Sequence, residues 1–169
     1  MPKPDHLNDI ERKLIDQLRT GTYVTASGDA DAWGDGDVTV YGQFPESAQV
    51  QYPALIVEHI ANGLETQFMG QDMGSSIKGE IYGIGFNIFI GVDKDSSITV
   101  DGEVYKERRL LNYLMLNCAN VLMDTDFSSL SNTQVLERHY AGFREISYIP
   151  ELEIWTSRTN MIITFKNER

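Results

Sequence analysis

From Tyr82 to Val92 every second residue is apolar: Tyr82, Ile84, Phe86, Ile88, Ile90 and Val92 alternate with Gly83, Gly85, Asn87, Phe89 and Gly91. A period of two over that length dictates a long strand, Gly79 to Val92, with one apolar face. The glycines of the other face predict either a close neighbour there or a bend.

Other segments supply the elements around that strand. Leu7, Ile10, Leu14, Ile15 and Leu18 follow helical spacing, so Asp5 to Thr20 is expected to be a helix, with Asp5 as N-cap and Gly21 as stop. Residues 25–37, TASGDADAWGDGD, read as an Asp/Gly-rich loop. Short strands are expected at Asp37–Tyr41 and at Ala54–Ile60, the latter led in by Pro53. Asn62 to Ser76 reads as a loop or the tip of a long hairpin, and Asp93 to Gly102 as a turn-rich link.

A second helix is expected over Glu103–Met123, with a stripe at Leu111, Leu114, Met115, Cys118 and Leu122. No charge occurs from Leu110 to Met123, whereas an ordinary surface helix carries a charged face. This helix is therefore expected to be covered on more than one side. Gln134 to Phe165 reads as two strands joined near Pro150 and Glu151, the second apolar on both faces and hence central or half-covered. The order helix, strands, helix, strands is not a regular βαβ alternation. It predicts an α+β fold: one domain over residues 1–169, with a largely antiparallel or mixed sheet packed by two helices.

Composition narrows the function. The 169 residues suit one domain, and 41% hydrophobic content allows a core. The net charge is −11, and no Lys or Arg occurs between Arg19 and Lys78, where eight acids lie. Such a chain is ill suited to wrapping duplex DNA, because affinity for phosphates comes from basic groups. One cysteine excludes an internal disulfide and a cysteine-built zinc site. The opening MPKPDHLNDIERK has no apolar stretch, so no signal peptide is expected, and no run of 18 apolar residues predicts a membrane span. The expected compartment is a reducing cytoplasm.

Catalytic and metal-binding patterns are thin. Asp29, Asp31, Gly34, Asp35 and Asp37 fall at positions 1, 3, 6, 7 and 9 of an EF-hand loop, but Trp33 stands at position 5 and Val40 at 12. A solvated turn is the expected role. His6, His59 and His139 are mutually remote, and His59 is expected to be a structural residue of its strand. Cys118 sits mid-helix among apolar neighbours and is expected to be packing. Gly83-Ile84-Gly85 is followed by Ile88 where a dinucleotide fingerprint needs a third glycine. No catalytic, cofactor or metal residue is assigned, and an enzyme is not expected.

One segment has a family look: Tyr52-Pro53-Ala54-Leu55-Ile56-Val57-Glu58, Ile60-Ala61-Asn62-Gly63, Glu65, and Gln67-Phe68-Met69-Gly70-Gln71, followed by Gly79-Glu80-Ile81-Tyr82-Gly83-Ile84-Gly85-Phe86. It resembles the tail terminator (neck terminator, or tail completion) proteins of contractile- and siphon-tailed bacteriophages. The plan covers most of the chain, while only residues 52–90 are motif-like, and the Asp-rich loop has no counterpart in the pattern. The resemblance implies a virion protein of the tail and neck, assembled in the host cytoplasm as a homo-hexameric ring. Such a ring caps the tail tube, stops its polymerisation and joins the tail to the head connector. The implied partners are the tail tube protein, the connector or stopper and, as a further candidate, the sheath protein. DNA would pass through the lumen without specific binding, and no membrane is involved. Candidate assembly residues are Asn62, Gly63, Gln67, Phe68, Met69, Gly70, Gln71 and Met73 in the arm, about 62–77, together with Asn117 and Asn120 of the second helix. Two alternatives stand beside this reading. One is another head–tail connector or a tail-tube subunit. The other is a small acidic ligand-binding domain or enzyme with a deep pocket.

Overall fold

The computed structural model describes residues 6–43, 45–46, 49–60, 65–72, 78–130, 133–143 and 145–168. Helix α1 spans His6–Thr20. It buries Ile10, Leu14 and Leu18, the i, i+4, i+8 stripe that its sequence specifies. It stops at Gly21, whose φ of +64° suits a glycine and whose N–H donates to the Gln17 carbonyl at 3.0 Å.

The next segment departs from the expected loop. β1 (Thr22–Thr25) and β2 (Gly28–Asp31) form an antiparallel hairpin, and Ala32 and Trp33 then turn inward and are buried. Small polar residues hid the hairpin. It is anchored from outside itself, by the Val24 N–H donating to the Asp124 carboxylate.

β3 (Thr39–Tyr41) pairs in parallel with β4 (Ala54–His59), which pairs antiparallel with β6 (Lys78–Asp93). β5 (Glu65–Asp72) pairs with the first part of β6, so part of the segment 62–76 is a strand of a hairpin. The expected link at 93–102 instead contains β7 (Ser97–Val100), which forms a second small hairpin with β8 (Glu103–Lys106). Helix α2 consequently starts at Glu107 and runs to Met123, four residues later than its composition suggests.

The C-terminal region holds β9 (Thr133–Phe143), β10 (Ser147–Ile149) and β11 (Ile154–Glu168), three strands where two were expected. β11 lies between β6 and the pair β9 and β10 and is thus central in the sheet; its Met161, Ile163 and Phe165 are buried, while Ile162 on the other face is exposed. Among the described residues the main sheet has seven strands and runs β10-β11-β6-β4-β3, with β5 beside β6 and β9 beside β11. The fold is a single compact α+β domain with mostly antiparallel pairing.

The alternating face of β6 is the centre of the core. Ile84, Phe86, Ile88, Ile90 and Val92 are buried, together with Leu55 and Val57 of β4 and Met161, Ile163 and Phe165 of β11. Both helices cover this face. Gly85 and Gly91 of the opposite face have close neighbours, one of the two outcomes their placement predicts. A Cβ on Gly85 would meet Ile60 Cδ1 at 2.9 Å, and one on Gly91 would meet Tyr52 Cε1 at 2.7 Å. Tyr52 and Ile60 thus fold back over the sheet where no side chain opposes them. Gly91→Ala is expected to cost about 1–3 kcal/mol through overpacking against the Tyr52 ring, read as a lower urea midpoint at unchanged m-value.

Candidate assembly surface

Helix α2 carries two opposed stripes. Leu110, Leu111, Leu114, Asn117, Cys118, Val121 and Leu122 point into the core. Asn112, Leu116, Asn120 and Met123 point to solvent, with Leu116 67% exposed. The absence of charge from Leu110 to Met123 thus leaves an uncharged, partly apolar stripe in water. The helix ends are tied down separately. The Asp124 N–H reaches the Asn120 and Val121 carbonyls at 3.2 and 3.3 Å. The Arg138 guanidinium donates to the Met123 carbonyl and lies 5.0 Å from the centre of the Phe127 ring. A cation there faces the negative end of the helix dipole.

The two asparagines predicted from this helix part company. Asn120 is exposed in the stripe. Asn117 is buried, and its Nδ2 donates to the Tyr113 carbonyl of the same helix at 2.9 Å. Asn62, Gly63 and Met73 lie outside the described residues. Gln67, Phe68, Met69, Gly70 and Gln71 lie on β5, where the backbone alone is described.

A second exposed apolar group escaped the sequence reading. Tyr148 and Ile149 of β10, and Leu152 in the turn from β10 to β11, are exposed, Leu152 to 63%. The Tyr148 ring rests on Trp155 with centroids 4.7 Å apart. The available signal was an Ile-Pro-Glu-Leu sequence, apolar at turn positions that ordinarily take polar residues.

The reactive side chains are arranged differently. Cys118 is fully buried, and burial pushes its thiol up to about 12, so it stays protonated at neutral pH. His59 closes β4, exposed, with its ring tilted against Phe86 at 5.6 Å. Asp29, Asp31, Asp35 and Asp37 are all exposed. Asp31 accepts from the Thr22 hydroxyl at 3.1 Å, and Asp37 from the Gly34 N–H at 2.9 Å. Among the described residues, no group of three or more His, Cys, Asp or Glu side chains converges on a point that could hold a metal ion. Burial raises the Glu11 carboxyl above its ordinary range, an effect that nearby His59 partly offsets. No helix among the described residues is long and apolar enough to cross a membrane.

The chain matches no protein-family model and no curated protein.

Proposed function

We propose that this chain is a structural virion protein of a tailed bacteriophage, a tail terminator. It assembles into a ring of six, caps the tail tube, stops its growth and presents a face to the head connector. The observation that carries this reading is the uncharged stripe of α2. Leu116 and Met123 stand in solvent on a helix that carries no charge from Leu110 to Met123, an arrangement suited to coverage by another subunit. The motif-like segment 52–90 supports it, since it supplies β4, β5 and much of β6, and β5 pairs with the first part of β6 as a hairpin. The net charge of −11 suits a lumen through which DNA must slide without being held.

The test is the solution mass at high concentration, with and without the tail tube protein, combined with electron microscopy. Closed rings that sit at tube ends are expected. Open-ended stacks would identify a tube subunit instead, and a monomer under both conditions would overturn the reading. Asn120→Asp is expected to keep the wild-type melting curve to within about 0.5 kcal/mol, as an exposed substitution should, while weakening ring formation. Normal rings from Asn120→Asp and from Leu116→Asp would remove α2 from the interface.

A further inference from the structure

The exposed residues of α2 fall on one row. Arg108, Asn112, Leu116, Asn120 and Asp124 follow one another at intervals of four, Asp124 being the C-cap, and all five are exposed. Such a row forms a ridge inclined to the helix axis, and this one spans about 24 Å. Its chemistry is palindromic. Leu116 is the centre, an asparagine stands four residues to either side, and opposite charges stand eight residues to either side. Reversed, the row complements itself. Laid antiparallel on a copy, with Leu116 against Leu116, it sets each Asn112 against the other Asn120 and each Arg108 against the other Asp124.

The two terminal charges are free to be used. Neither Arg108 nor Asp124 is in an ion pair among the described residues. The Arg108 guanidinium lies 6.0 Å from the centre of the Trp155 ring, a contact that leaves its N–H donors unspent. Asp124 accepts the Val24 N–H on Oδ2, which leaves Oδ1. The other charges at these ends are already engaged. Arg109 pairs with Glu103, Lys106 and Glu107 offset each other ahead of the row, and Arg138 donates to the Met123 carbonyl. Asp126 accepts twice from Ser128 and has Lys13 and Arg138 near it.

We infer that the unassembled chain pairs with a second copy across a two-fold axis at Leu116, α2 against α2. The inference goes beyond the ring reading. A ring contact is head-to-tail, so the pair is a separate, reversible state that covers the same stripe and opens before a ring closes. Charge complementarity names a second copy as the occupant. The row carries one positive and one negative end, and only a partner with the reverse order satisfies both. An acidic or a basic surface would satisfy one end and repel the other. The row sums to zero, so two copies meet there without the repulsion that a net charge of −11 imposes elsewhere. Antiparallel helices also set opposite ends of their dipoles side by side. Each asparagine amide both donates and accepts, so the Asn112–Asn120 contacts need no further partner. Ridges of this spacing pack together at about 50°, the commonest helix crossing.

Cysteine pairing tests the symmetry. The native Cys118 is buried, so an introduced surface thiol is the reactive one. In the full chain, below the concentration at which rings form, Leu116→Cys should oxidise to a disulfide-linked dimer, because a residue on a two-fold axis faces its own copy. Asn112→Cys and Asn120→Cys should each stay monomeric on a non-reducing gel when oxidised alone, and should cross-link when mixed 1:1. Arg108→Glu should keep the dichroism and melting curve of the wild type. It should raise the dissociation constant of the pair, measured by sedimentation, at least about tenfold, since like charges then face each other twice. The inference is overturned, with the ring reading left standing, by any of three results: no cross-link from Leu116→Cys, a cross-link from Asn112→Cys alone as ready as from the mixture, or an unchanged dissociation constant for Arg108→Glu. The ring reading fails separately, if no rings form with or without tube protein, whatever the cysteines do.

Discussion

Leu114→Asp is expected to leave no folded protein at 25 °C and neutral pH. Leu114 is fully buried at the middle of α2, in the core that this helix shares with β6 and β11. Truncating a buried leucine to alanine already costs about 2–5 kcal/mol. An aspartate adds a charge with no partner in that apolar cluster, at a further cost of several kcal/mol. The sum is comparable to the whole stability of a domain of this size, about 5–15 kcal/mol. The variant should give a far-ultraviolet dichroism spectrum of unfolded chain and no cooperative urea transition. Asn120→Asp, which places the same carboxylate on the solvent stripe of the same helix, is the matched control. A Leu114→Asp protein that melts cooperatively within about 2 kcal/mol of the wild type would mean that this side of α2 is not the covered one.

The difference between those two positions was partly visible in the sequence. The inward stripe follows from the spacing of Leu111, Leu114, Cys118 and Leu122. The lack of charge between Leu110 and Met123 marks a helix that water alone does not account for. Helical spacing from Leu110 and Leu114 puts position 117 on the inward face, but its polar side chain argues against burial; an asparagine enters an apolar stripe when its own helix accepts its amide proton, as the Tyr113 carbonyl does. The long strand β6 was equally legible, because alternation over that length has one reading.

Shorter elements failed for identifiable reasons. Val100-Asp101-Gly102-Glu103 carries the Asp-Gly signal of a two-residue hairpin turn, and both central residues do have positive φ, at 52° and 82°. Its second strand, Glu103–Lys106, was absorbed into the expected helix because Glu and Lys favour helices and no proline or glycine follows them. The break comes at Glu107, with φ of +50°. The turn at 149–152 was located, but its exposed apolar cluster depends on where the chain places it.

Trp33→Ala is expected to cost about 3–5 kcal/mol, a core-sized loss from a residue embedded in an Asp/Gly-rich segment. Trp33 is 2% exposed. Its Nε1–H donates to the Leu18 carbonyl at 3.0 Å, satisfying the last turn of α1. Its ring covers Gly21 so closely that a Cβ there would stand 2.6 Å from Nε1. Next to it, the Ala32 N–H donates to the Gly21 carbonyl at 2.7 Å, and the Tyr113 hydroxyl donates to the Ala32 carbonyl. Ala32 and Trp33 therefore pin the acidic hairpin to the end of α1 and to α2. Removing the indole opens a cavity beside a glycine that cannot fill it and strips the Leu18 carbonyl of its donor. Trp33→Phe should restore most of the packing and leave a deficit of about 1–3 kcal/mol from the lost hydrogen bond. Urea midpoints of the three proteins should therefore fall in the order wild type, Trp33→Phe, Trp33→Ala. If both variants instead melted within about 1 kcal/mol of the wild type, the segment 25–37 would be a solvated loop throughout, and its tryptophan would not belong to the core.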